Sequence, residues 1–90
     1  GMLSTYSPAG KKLVRMSATT DGDGSLTTYS AAGNAGVILQ GGSMDDTGGY
    51  LAIKNKTGET IVQLYADDYG NGVVGAWNRK GEGRTLTPGP

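Results

Sequence analysis

The sequence predicts an all-β fold of about eight short antiparallel strands, arranged as four hairpin repeats of 23–25 residues. Three observations predict it. Gly10, Gly33, Gly58 and Gly81 recur at spacings of 23, 25 and 23, and other columns fall into register with them, which marks a repeat architecture. Apolar and polar residues alternate with period two between the glycines, and no segment sustains a helical period. The alternating segments are separated by short stretches rich in Gly, Asp and Asn, residues that favour tight turns.

The repeats span approximately residues 3–24, 25–49, 50–72 and 73–90, within a single domain of residues 2–90; Gly1 reads as a tag remnant. Each repeat begins with a short strand: "LSTY", "LTTY", "YLAIK" and "VVGAW". Three repeats follow it with a longer one: "KLVRMSA", "GVILQG" and "TIVQLYA". In these, Val14, Met16 and Ala18, and likewise Val62, Leu64 and Ala66, fall on one face, with Arg15 and Gln63 on the other. The last strand, in "RTLTPGP", is the weakest, because prolines follow it. Four columns emerge: Leu3, Leu26, Leu51 and Val74; Tyr6, Tyr29, Lys54 and Trp77; Val14, Val37, Val62 and Thr85; Met16, Leu39, Leu64 and Thr87.

Within each repeat the two strands are joined by "SPAG", "SAAG", "NKTG" or "NRKG", with glycine always fourth. That is the pattern of a type I turn followed by a left-handed residue that forms a bulge. It predicts positive φ at Gly58 and Gly81, where glycine avoids the Cβ penalty. Pro8 sits where the type I turn wants a fixed φ. The connections between repeats, "TTDGDG", "MDDTGG" and "DDYGNG", are also turn-rich and close on Gly24, Gly49 and Gly72.

Composition limits what such a chain can do alone. Leu, Ile and Val number 15 of 90 residues and Phe is absent, which falls below the roughly 20 percent of these four residue types that flags a chain too poor in them to fold alone. Net charge is zero, so the usual signature of disorder is only half met, and binding by neutralising phosphates is disfavoured. With neither Cys nor His, disulfides and the commonest general base are missing. No apolar run approaches the roughly 18 residues of a membrane span, and neither membrane insertion nor a signal peptide is expected.

An open meander leaves two unpaired edges. Closure into one eight-stranded barrel calls for a fuller interior than Val, Leu, Met and Gly supply here. Three chains around one axis would each contribute a narrow apolar stripe to a shared centre. The expected stripe is Val14, Met16, Val37, Leu39, Val62 and Leu64. In these turn glycines and this alternation, most closely in residues 50–81, "YLAIKNKTGETIVQLYADDYGNGVVGAWNRKG", the chain resembles the trimeric β-helix and β-prism modules of phage tail fibres, tail spikes and bacterial surface adhesins. It is also similar to short "hxhYNxxGxxVVxLxxDxxGNG" repeats of secreted or phage-like bacterial proteins. The resemblance implies a homotrimeric, non-enzymatic structural module of a fibre or surface appendage, at an extracellular or virion surface. It carries over no catalytic, cofactor or metal-binding residue. The alternative expectation is a small β-domain that binds a carbohydrate or a protein partner.

The chemistry-bearing residues are few. All six aspartates (Asp21, Asp23, Asp45, Asp46, Asp67 and Asp68) lie in the inter-repeat connections. Lys11, Lys12, Lys54, Lys56, Arg79, Lys80 and Arg84 lie in or beside the other turns. The expectation is an acidic rim opposite a basic one, with salt-sensitive rim-to-rim contacts. "DGDGS" matches the first three ligand positions of an EF-hand, but Leu26 and Ala32 stand where that loop needs Gly and Glu. Tyr6, Tyr29 and Trp77 could form a sugar-stacking row, or simply pack across strands. Asn55 opens an "NKT" sequon and reads as a turn asparagine. Adjacent Asp67 and Asp68 point to opposite faces if extended, a poor geometry for shared acid–base work. No nucleophile–base pair is found, and no enzyme is expected.

Overall fold

Short strands need turns that reverse the chain without splaying the sheet, and one turn does this at six of the connections. In the computed structural model, which describes residues 1–42 and 46–88, six connections share one hydrogen-bond pattern. The amide of each turn glycine donates to the carbonyl three residues earlier, as in Gly58 to Asn55 at 3.1 Å and Gly22 to Thr19 at 3.0 Å. Gly10, Gly22, Gly33, Gly58, Gly70 and Gly81 all have φ between 83° and 91°. The first turn residue is Ser, Thr, Asn or Asp every time, and its side-chain oxygen accepts from the amide four residues on: Ser7 from Lys11, Thr19 from Asp23, Ser30 from Asn34, Asn55 from Glu59, Asp67 from Asn71, and Asn78 from Glu82. This satisfies a donor that the turn would otherwise leave to solvent. The positive φ expected at Gly58 and Gly81 is present. Beyond that expectation, "TTDG" and "DDYG" turn out to be the same motif at the other end of the strands. In the first and third repeats the period is therefore two copies of a shorter strand-and-turn unit.

The strands are β1 (Leu3–Tyr6), β2 (Lys12–Ala18), β3 (Gly24–Tyr29), β4 (Ala35–Gln40), β5 (Tyr50–Lys54), β6 (Thr60–Ala66), β7 (Gly72–Trp77) and β8 (Gly83–Leu86). They form one antiparallel sheet in sequence order, so that each strand pairs only with its chain neighbours and β1 and β8 are the edges. Register shifts fall before Tyr6, Tyr29 and Lys54 in the β1–β2, β3–β4 and β5–β6 hairpins, whereas the same turn at β2–β3, β6–β7 and β7–β8 keeps a regular register.

The last hairpin corrects the sequence alignment. Thr85 and Thr87 were expected to continue the Val14 and Met16 columns. Instead Ala76 pairs with Arg84 and Val74 with Leu86, without a bulge. A slip of one residue exchanges the two faces of a strand. Here it brings Leu86, the one large aliphatic side chain of β8, into line with the leucines of the other strands.

Among the described residues the sheet does not close and no segment folds back over it. The molecule measures 50 × 30 × 17 Å, the thickness of a single layer with its side chains. Its radius of gyration is 14.6 Å, against about 12 Å for a compact 90-residue domain. It exposes 6300 Å², where a compact protein of this mass exposes about 4900 Å². Ala52 and Val73 are the only buried hydrophobic side chains among the described residues.

Candidate functional site: an uncovered aliphatic face between two charged rims

One face of the sheet is aliphatic from edge to edge. Leu3 pairs with Met16, and the row runs on through Leu26, Leu39, Leu51, Leu64 and Val74 to Leu86. A second row beside it runs Thr5, Val14, Thr28, Val37, Ile53, Val62, Ala76, Arg84. The six residues of the expected stripe all lie in these two rows. Toward the aspartate-bearing end the side chains shrink: Ala18 pairs with Gly24 and Ala66 with Gly72, and the Gly41 amide donates to the Gly24 carbonyl at 2.9 Å. None of the leucine row is buried. Met16, Leu39 and Leu64 are each about 40% exposed and Val74 is 48% exposed. Two shallow depressions lie on this face, one lined by Leu3, Met16, Leu26 and Leu39, the other by Leu64, Val74 and Leu86.

The opposite face is polar and holds what core there is. Arg15 pairs with Thr27, and that row continues through Ile38, Ala52, Gln63 and Gly75. The neighbouring row contains Ser17, Ser25, Gln40, Tyr50, Tyr65 and Val73. Gln63 Nε2 donates to the Tyr50 hydroxyl at 2.8 Å. The Trp77 indole lies against Gly75, where a Cβ would run into the ring. A two-sided sheet with one hydrophobic face normally buries that face first. Here the burial is on the polar face and the hydrophobic face is bare.

Tyr6, Tyr29, Lys54 and Trp77 end β1, β3, β5 and β7 on this polar face, as their shared column implies. Tyr6 is 58% exposed, Tyr29 and Trp77 are half-buried, and Lys12 Nζ sits 5.7 Å from the Tyr29 ring centroid.

The aspartates and most of the basic side chains divide between the strand ends, while Glu59 and Glu82 close turns on the basic end. The turns bearing Lys11, Lys56, Arg79 and Lys80 lie at one end; those bearing Asp21, Asp23, Asp46, Asp67 and Asp68 lie at the other. Asp45 lies outside the described residues. Asp67 is occupied locally: its Oδ1 accepts from the Tyr69 and Asn71 amides, each at 2.9 Å. Asp21 and Asp68 are exposed at their turn tips. Asn55 Oδ1 accepts from Thr57 N, Thr57 Oγ1 and Glu59 N, so the sequon residue is a turn residue. Among the described residues no three His, Cys, Asp or Glu side chains come together as a metal site, and the "DGDGS" aspartates are not joined by a third acid. No helix among them is long and apolar enough to cross a membrane.

No protein-family model, curated protein or solved structure matches the chain.

Proposed function

We propose that the chain is a non-enzymatic assembly module that completes its fold by homotrimerisation, as a structural unit of a fibre or surface appendage. The observation that carries this reading is the aliphatic row: eight strands in register, each adding one of Leu, Met or Val to one bare face. A contiguous apolar surface of this extent marks an interaction site. The excess exposure over a compact protein, about 1400 Å², is more than the roughly 800 Å² per partner of a standard interface.

Strand length favours three chains. Six residues of strand span about 20 Å, and packed sheets lie about 10 Å apart, so each contributes about 5 Å of side chain. Three walls of 20 Å enclose a triangle whose walls stand about 6 Å from the axis, close to that depth, whereas four walls would leave a void at about 10 Å. The gradation of side-chain size fits a triangle too. Large residues fill the middle of each wall, and Ala18, Gly24, Ala66 and Gly72 fall where adjacent walls converge. Two parallel layers have a uniform gap and give no reason for a small-residue margin. Sedimentation equilibrium across micromolar concentrations tests the reading: a stable trimer supports it, and a stable monomer removes it.

The second reading is a β-domain that binds a carbohydrate through the polar face. Exposed Tyr6 with Tyr29 two strands away motivates it. Loss of glycan binding on Tyr6→Ala would support it; a glycan panel without any binding would count against it.

A further inference from the structure

The two charged rims are toothed, and their teeth are out of step. Hairpin tips on the basic end fall at β1–β2, β3–β4, β5–β6 and β7–β8. Those on the acidic end fall at β2–β3, β4–β5 and β6–β7. Tips on one end are two strands apart, about 10 Å, and the two ends are offset by one strand, about 5 Å. Four basic-end tips leave three gaps, and the described acidic-end tips, at β2–β3 and β6–β7, stand at the heights of the first and the last.

A closed ring of three identical walls is joined head to tail, so every corner brings one chain's acidic end to the next chain's basic end. Closure by a three-fold axis allows no sliding along that axis. Each acidic tip therefore stands at the height of a gap between two basic-end tips. Resting on the trimer reading, we infer that the corners of the ring are meshed, charge-paired interfaces between copies of this chain. The tip carrying Asp21 enters the gap beside Lys11. The tip carrying Asp68 enters the gap between Lys56 on one side and Arg79 with Lys80 on the other; the carboxylates of those two tips are held locally, Glu59 against the Thr57 hydroxyl and Glu82 against Asn78 Nδ2, so the cations remain in excess there. Asp67 is committed to its own turn, which leaves Asp68, exposed at the same tip, to face the neighbouring chain. A partner with the same sign at its facing end cannot use this geometry. The rims thus select a head-to-tail second copy and set its axial height, while the aliphatic face supplies the bulk of the burial. An excess of acid at one strand end and of base at the other, with zero net charge overall, is then a specificity device.

The test is a double-mutant cycle on the full chain. The variants are Asp68→Lys, the pair Lys56→Glu with Lys80→Glu, and all three together, measured for trimer dissociation by sedimentation at 50 mM and 1 M salt. One exposed pair is worth about two- to threefold, and three corners multiply this to about tenfold. Each partial variant is expected to weaken the trimer by about that factor at low salt. The combined variant is expected to lose less than the product of the two, and the differences to shrink at 1 M, where the Debye length is about 3 Å. Circular dichroism confirms that each variant keeps its strands. Effects that multiply without coupling, or reversals that alter only the stacking of intact trimers, overturn the meshed corner and leave the trimer standing. A monomeric wild type overturns the assembly reading itself.

Discussion

Replacing Leu64 by Asp puts a charge in the middle of the aliphatic row, and its cost depends on whether that row is covered. In the isolated sheet Leu64 is 39% exposed, so a polar residue there behaves as a surface substitution, typically within about 0.5 kcal/mol apart from strand propensity. In the trimer the remaining exposure, about 70 Å², is buried in each chain. At about 25 cal/mol per Å² the lost burial is about 2 kcal/mol per chain. Three carboxylates would also meet at one height around the axis. At about 8 Å separation and an effective dielectric of 20, each pair repels by about 2 kcal/mol. Together these exceed 10 kcal/mol per trimer, or more than seven decades in the assembly constant at about 1.4 kcal/mol per decade. The assay is sedimentation at several concentrations beside circular dichroism. Leu64→Asp should be monomeric wherever the wild type is trimeric. Leu64→Met, close in volume, should remain a trimer. Thr27→Asp, on the opposite face across from Arg15, should also remain a trimer, which separates strand propensity from burial. A Leu64→Asp chain that assembled like the wild type would refute the reasoning.

Three further outcomes are expected. Gly58→Val should destabilise the fold by on the order of 1 to 2 kcal/mol; a Cβ at Gly58 meets nothing within 4 Å, so the cost is that of the backbone at φ 91°, and a denaturant midpoint equal to the wild type's would contradict it. Asn55→Ala removes the acceptor for Thr57 N, Thr57 Oγ1 and Glu59 N and should cost about 1 kcal/mol, read from the same melts, whereas Asn55→Asp keeps the acceptor and should cost less. Gly75→Val should push the Trp77 indole off the sheet and red-shift its fluorescence, and an unchanged emission maximum would show that the ring does not rest on Gly75.

Local chemistry was legible in the sequence because it is written locally. A turn glycine three residues after Ser or Asn needs no distant partner to take positive φ, so Gly10, Gly33, Gly58 and Gly81 could be placed by spacing alone. Period-two alternation put Val14 and Met16 on the face opposite Arg15 for the same reason. The same local rule also covered Thr19–Gly22 and Asp67–Gly70. The period of 23–25 residues marks only every second turn; the signal for the others is Ser, Thr, Asn or Asp three residues before each glycine. What tertiary structure alone decided is non-local. The register of β8 depends on which side chain β7 can set beside Val74, and Leu86 outcompetes Thr87 for that place although turn spacing points the other way. The uncovered state of the leucine row is a property of all eight strands together. Alternation says that a strand has an apolar side, but only the sheet's failure to close, and the absence of a second layer among the described residues in a molecule 17 Å thick, shows that they do not cover it.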